Sequence, residues 1–275
     1  MKKNYKIRKD LSITVNGHTL FRIEAIKDIA IHNVSKGEIG GYIELETNLY
    51  DNAWVFDDAK VYEKATVCGA ATVRGEATVH GEATVCGEAI VRGEATVCGE
   101  AIIYEKATVC GAATVCGAAT VHGEATVCGA ATVRGEAIVR EKATVRGEAI
   151  VREKATVCGE AIVRGEATVC GEAIVRGEAT VCGEAIVRGE ATVCGAAIVC
   201  GDRIRNNKDI YNICCNDVYN ITILPNFIKI GCQFHKKEEW WKFTNREIEA
   251  MDGLKAIHFW KKWKPILQAI CGENK

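Results

Sequence analysis

The chain of 275 residues contains only two prolines and two methionines, and aromatic residues make up 7% of it. So little proline excludes a proline-rich linker, and 27 glycines without a Gly-X-Y period exclude a collagen-like chain. No apolar run approaches the ~20 residues that a membrane-spanning helix needs. Neither sign of charge dominates: 35 lysines and arginines face 36 aspartates and glutamates, a net charge of −1. Bulk charge therefore gives no reason to expect a general nucleic-acid binder. The opening MKKNYKIRKD has no apolar stretch behind its positive charges and does not read as a signal peptide.

What is present in quantity is cysteine, alanine and valine in a fixed order. Fifteen cysteines would suggest a disulfide framework in a small secreted chain. With no export signal, and with eleven of the fifteen recurring at one repeat position, the expectation is a cytoplasmic protein with reduced thiols. From Ala53 to Asp202, 150 residues run as 25 consecutive hexads of the form A-[T/I]-V-x-G-E without insertion. Ala83-Thr84-Val85-Cys86-Gly87-Glu88 is a clean copy, and the units beginning at Ala53 and Ala59 are degenerate.

Alternate residues of an extended A-T-V-x segment point to opposite sides. One set is Ala plus Val, with Ile103 once. The other is Thr or Ile plus a variable residue, which is Cys eleven times, Arg nine, His twice, Tyr twice and Phe once. Nine arginines cannot be buried unpaired, so the Ala/Val set belongs inside and the variable set outside. Gly fills the fifth slot in 20 of 25 hexads, where a corner requires a residue tolerant of positive φ. The exceptions are Asp57, Glu63, Glu105, Glu141 and Glu153. A single hexad cannot bury its own inner face, so the units must coil and stack.

In its Val-x-Gly-Glu-Ala-Thr phase the sequence resembles the hexapeptide repeat of left-handed parallel β-helices, the LpxA-like superfamily. The resemblance covers about 150 residues. It implies an all-β triangular solenoid with three hexads per coil, about eight coils, and a length of roughly 40 Å at ~4.8 Å between strands. Gly40-Gly41-Tyr42-Ile43-Glu44, followed by Asn52 to Tyr62, also resembles the lead-in to the repeats of bacterial and phage hexapeptide proteins of the YdcK type, which carry a transferase label without a demonstrated activity. Outside the repeat, residues 1–52 read as an N-terminal β cap, with a hairpin turning at Asn16-Gly17. Arg203 and Arg205 fall on inward slots, so the solenoid is expected to stop at Asp202. Residues 203–275 read as a small α+β cap. In it, Thr244-Asn245-Arg246-Glu247 opens a short helix, and Ala256, Trp260, Trp263, Leu267 and Ile270 form a helical stripe, with Pro265 placed to kink it.

The resemblance implies acyl transfer from acyl-CoA, with a histidine base in the groove of a homotrimer. The only hexad histidines, His80 and His122, lie 42 residues apart and so on different faces; each replaces the Cys or Arg of other copies. No cofactor is expected otherwise. Arg164, Arg176 and Arg188 are the candidates for holding a small anionic ligand. Cys232 and His235, with Cys214 and Cys215 nearby, form the other metal-like grouping, for which packing in the cap is the competing explanation. Cysteines 18 residues apart (Cys68/Cys86, Cys98/Cys116, Cys110/Cys128, Cys182/Cys200) stack as flat ladders, not as tetrahedral metal cages. His258 to Lys264 interleaves basic and aromatic residues, which suits helix packing better than nucleic acid or a membrane surface. Between Ala155 and Glu190 a twelve-residue unit is copied three times, so Cys and Arg alternate on each face and the faces are nearly equivalent. The expectation is a non-enzymatic structural or interaction protein, of phage, prophage or bacterial origin, presenting a repetitive surface to a protein or small-molecule partner.

Overall fold

The computed structural model describes residues 3–213 and 218–272. Each hexad contributes a strand of two or three residues, such as Thr84–Val85 or Ile90–Val91. A two-residue turn follows each one up to Thr192–Val193. Every third strand pairs in parallel with the next coil, so the chain winds through three sheets: one of 12 strands, one of nine and one of eight. Register is kept residue for residue, with Thr108 opposite Thr126 and Val109 opposite Val127.

The Ala/Val set fills the interior as expected. From Ala59 to Val199 these residues are buried essentially completely, in one continuous cluster that reaches from Tyr5 to Leu224. Small side chains let three backbones approach one axis, and each hexad then donates backbone N–H groups to the coil above. Thr84 N–H bonds Ala101 O at 2.9 Å, Cys86 N–H bonds Ile103 O at 2.9 Å, and Glu88 N–H bonds Glu105 O at 2.7 Å.

The fifth slot is a left-handed corner throughout. Gly123 has φ +73° and Gly195 has φ +64°, and the five non-glycine corners share the conformation, from +52° at Asp57 to +63° at Glu141 and Glu153. The acidic residues there have a second role that a glycine cannot fill. The carboxylates of Asp57, Glu63, Glu105, Glu141 and Glu153 accept hydrogen bonds from the backbone N–H of Gly75, Gly81, Gly123, Gly159 and Gly171, each one coil on, at 2.7–3.0 Å. Glu141→Ala keeps the side-chain penalty of a left-handed residue and loses this bond, so it should cost about 2 kcal/mol. Glu141→Gly loses the bond but also the penalty, and should stay within about 1 kcal/mol of the parent. Urea midpoints of the two variants check the order.

The solenoid extends past both ends of the recognisable repeat. Ile39–Ile43 pairs in parallel with Lys60–Val61, placing Gly41 beside Ala59 and Ile43 beside Val61. At the other end Arg203–Ile204 adds one more rung, against Ile186 and Val187. The spacing there is one residue short of the usual 18. Asp202 consequently drops into an alanine slot, Arg203 turns outward and Ile204 fills the valine slot with no exposure. The rod thus has about nine turns, and it does not stop before Arg203 because the shift moves the arginine off the inward position. Asp202, buried, accepts from Asn226 N and Nδ2, both at 3.0 Å, and so ties this last corner to the C-terminal cap.

At the N-terminus, Tyr5–Val15 and His18–Ala25 form the expected hairpin, with positive φ at Asn16 and Gly17. It continues the 12-stranded sheet in antiparallel fashion. Ile23, Ala25, Ile29, Val34 and Leu49 plug the open end of the core. The C-terminal cap is a four-stranded antiparallel sheet, Tyr211–Ile213, Ile221–Ile223, Phe227–Ile230 and Gln233–Lys236, followed by helices at Lys237–Lys242 and Asn245–Ile270. The Thr244/Glu247 capping box is present. The helix it opens is long, and its break lies at Asp252-Gly253, where Gly253 takes φ +62°; Pro265 lies within the helical run. No described helix is long and apolar enough to cross a membrane.

Candidate functional surface

The outward slots form vertical rows, one coil apart, on each of the three sheets. The row starting at Phe56 reads Arg74, Arg92, Cys110, Cys128, Arg146, Arg164, Cys182, Cys200. The second begins Tyr62, His80, Cys98, Cys116, and the third begins Cys68, Cys86, Tyr104, His122. Arginine and cysteine alternate one by one in the copied block, as expected, but elsewhere they come in doublets. The Arg74/Arg92 doublet borders an open hollow with Asp57 and Cys110.

His80 and His122 follow strands of different sheets, Thr78–Val79 and Thr120–Val121, and the two do not meet. Each is instead held in the same small assembly. His80 stacks on Tyr62, ring centroids 5.0 Å apart and planes 5° apart; His122 stacks on Tyr104 at 4.7 Å and 7°. The Nδ1 of each lies 3.7 Å from a corner carboxylate, Glu63 or Glu105. That carboxylate is the same group that accepts the Gly81 or Gly123 N–H. A ring packed on tyrosine, beside an already engaged carboxylate, forms part of a lateral stack. Reading the hexads one at a time misses this arrangement, although the Tyr-to-His spacing of 18 residues occurs twice in the sequence. The first stack extends to His18, 5.3 Å from Tyr62. The hydrogen bond from His18 to Glu44, 2.9 Å, holds the imidazole pKa above its ordinary value.

Arg164, Arg176 and Arg188 follow strands of three different sheets. Within one chain they do not converge on one ligand. The nearby Cys158, Cys170 and Cys182 point outward yet are only 6% exposed. Cys158 stands between Arg140 and Arg176 and Cys170 between Arg152 and Arg188, one coil below and above, whereas Cys182 has Arg164 on one side and Cys200 on the other. Burial raises the pKa of the thiols of Cys86, Cys98, Cys128 and Cys158. That of Cys68 is pushed up to about 11 by burial, by neighbouring Cys86 and by the carboxylate of Asp51.

Cys232 is exposed, whereas His235 packs edge-on against Trp240 and Phe243 at 5.3 and 5.0 Å and touches Gln233 Oε1 at 3.2 Å. Cys214 and Cys215 lie outside the described residues. Among the described residues no group of three or more His, Cys, Asp or Glu is arranged to hold a metal ion. The stripe Ala256, Trp260 and Leu267 is buried against the cap sheet, with Trp263 partly buried and Ile270 exposed. Ala256 and Trp260 line a cavity of about 300 Å³ with Tyr219, Trp240 and Phe259.

The reduced-thiol expectation fails at one pair: Cys182 and Cys200 are bridged as a disulfide, with Cα atoms 4.8 Å apart. In the comparisons with known proteins, no family model matches the chain and no curated protein matches it, so the hexad β-solenoid stands on the chain's own residues and structure.

Proposed function

We propose that the chain is a non-enzymatic rod that presents stacked Thr/Ile and Arg/Cys rows to a partner, with the two terminal caps closing its ends. The observation that carries this reading is the loop-free regularity of the three faces, which are nearly equivalent in the copied block between Ala155 and Glu190. Hexads run from Ala53 to Asp202 without a loop between them, and the two histidines that a transferase reading would use are packed on tyrosines of different faces. A catalyst needs one place where nucleophile, base and substrate contacts converge. A presenting surface needs regular spacing, and parallel rungs supply it at every coil. The repeat region carries 21 acidic and 14 basic residues, interspersed along the rod, which favours a partner with mixed charge.

The test is direct. Incubated with acetyl-CoA and a panel of amine and hydroxyl acceptors, the full chain should release no CoA above a protein-free control, by chromatography. CoA release that His80→Ala or His122→Ala abolishes would overturn the proposal in favour of an acyltransferase working in a trimer groove. Light scattering on the same sample reports whether a trimer forms. A second reading, capture of a small anionic ligand, is favoured by the Arg74/Arg92 doublet at its hollow. Calorimetry against nucleotides decides it, with Arg74→Ala as the control.

A further inference from the structure

Eight of the eleven hexad cysteines stand in pairs one coil apart: Cys68/Cys86, Cys98/Cys116, Cys110/Cys128 and Cys182/Cys200. The residues before them are in strict register, with Val67 opposite Val85, Val97 opposite Val115, Val109 opposite Val127 and Val181 opposite Val199. The last pair is the bridged one, and its Cα separation of 4.8 Å is that of neighbouring parallel strands and lies inside the ~4.4–6.8 Å range of disulfides. In the other three pairs the neighbouring thiol is, after burial, among the groups that raise the pKa of Cys68, Cys98 and Cys128. The four pairs occupy all three faces.

We propose that Cys68/Cys86, Cys98/Cys116 and Cys110/Cys128 are modification sites equivalent to Cys182/Cys200, each closing into an intrachain disulfide between successive coils when the protein meets a low-molecular-mass disulfide. The chemistry is thiol–disulfide exchange. The thiolate of one cysteine attacks a sulfur of the small disulfide, breaking its S–S bond and releasing one small thiolate, and leaves a mixed disulfide. The partner thiolate then attacks the protein sulfur of that bond and expels the second small thiolate. Two protons leave the protein thiols, and two electrons pass to the small disulfide, which is reduced to two thiols. The rod favours the second step because its backbone ladder holds the resolving sulfur beside the first.

The neighbours of each pair separate this proposal from general thiol oxidation. Cys158 occupies the same outward slot but stands between Arg140 and Arg176, so no cysteine lies one coil above or below it. It can take up the small thiol but has no partner on its row to resolve the bond.

The experiment uses the full chain, reduced and desalted, exposed to oxidised glutathione, quenched in acid, alkylated and digested after Lys and Arg. That digestion places Cys68, Cys86, Cys98, Cys116 and Cys158 on five different peptides. The expected result is a Cys68 peptide linked to the Cys86 peptide and a Cys98 peptide linked to the Cys116 peptide, with Cys158 alkylated or glutathionylated. In Cys86→Ser, Cys68 should be recovered as the glutathione mixed disulfide. Recovery of Cys68 and Cys86 as alkylated thiols, linkage of Cys158 to the same extent, or linkage between chains instead of within one would each overturn the proposal.

Discussion

Gly123→Ala should destabilise the rod by about 2–3 kcal/mol, whereas Gly195→Ala should cost about 1 kcal/mol. Both glycines are left-handed corners, φ +73° and +64°, so the backbone penalty of an L-residue is common to the two. They differ in what a β-carbon would meet. At Gly123 it would lie 2.7 Å from Glu141 N and 2.9 Å from Glu141 Cα, atoms of the next coil's backbone; at Gly195 nothing lies within 4 Å. The additional cost at Gly123 comes from separating two hydrogen-bonded coils. The natural acidic corners bond the N–H one coil on through their carboxylates, which alanine cannot do. Urea denaturation at constant slope is the measurement. Equal losses at the two sites would show that coil-to-coil packing at the corners is not what restricts this slot to glycine. Each coil of a solenoid contacts only its neighbours, so amide protection lost in the Gly123 variant should be confined to the coils around Gly123 and Glu141.

Trp54→Ala should cost about 3–5 kcal/mol and loosen the N-terminal hairpin. Trp54 occupies the Thr/Ile slot of the first full hexad, a slot half-exposed along most of the rod, yet Trp54 has no exposure. The N-terminal segment covers it. A β-carbon at Gly40 would lie 2.8 Å from Trp54 Cζ2 and 2.7 Å from Ile23 Cγ1, so glycine there lets strand, indole and hairpin meet. Phe56 closes the other side, edge-on at 6.4 Å. Thr126→Ala, in the same slot at mid-rod, should change stability by less than about 0.5 kcal/mol. Hydrogen exchange should show lost protection at Ile23 and Ile43 in the tryptophan variant and none in the threonine variant. If the hairpin stays protected without the indole, the plug residues Ile29, Val34 and Leu49 hold it by themselves.

The repeat's interior and corners were legible because each rests on a local constraint: arginine cannot be buried unpaired, and a left-handed corner selects glycine. Both ends were harder to read. Gly41 replaces alanine in the first rung, and the last rung drops one residue, so Asp202 and Ile204 lie off the hexad frame although the backbone ladder continues through them. The capping box located the start of the long helix. Its break follows from Gly253, a less conspicuous signal than Pro265, which the helix accommodates. For the surface, placing His80 and His122 on different faces required only the coil period. Their stacking on Tyr62 and Tyr104 needed the same period applied from one aromatic to the next. The disulfide at Cys182/Cys200 could not be inferred from composition, because a ladder of thiols is compatible with either oxidation state; the separation of the two backbones is what permits the bond.

The copied block has a consequence for how this molecule can change length. One twelve-residue unit is two faces of a three-faced coil, so gaining or losing a single unit would swing the C-terminal cap two-thirds of a turn around the long axis relative to the N-terminal hairpin. Three units, the number present between Ala155 and Glu190, make two whole coils and restore the original bearing. Lengthening in threes would therefore move the two ends apart without rotating one against the other, whereas any other increment would re-aim them.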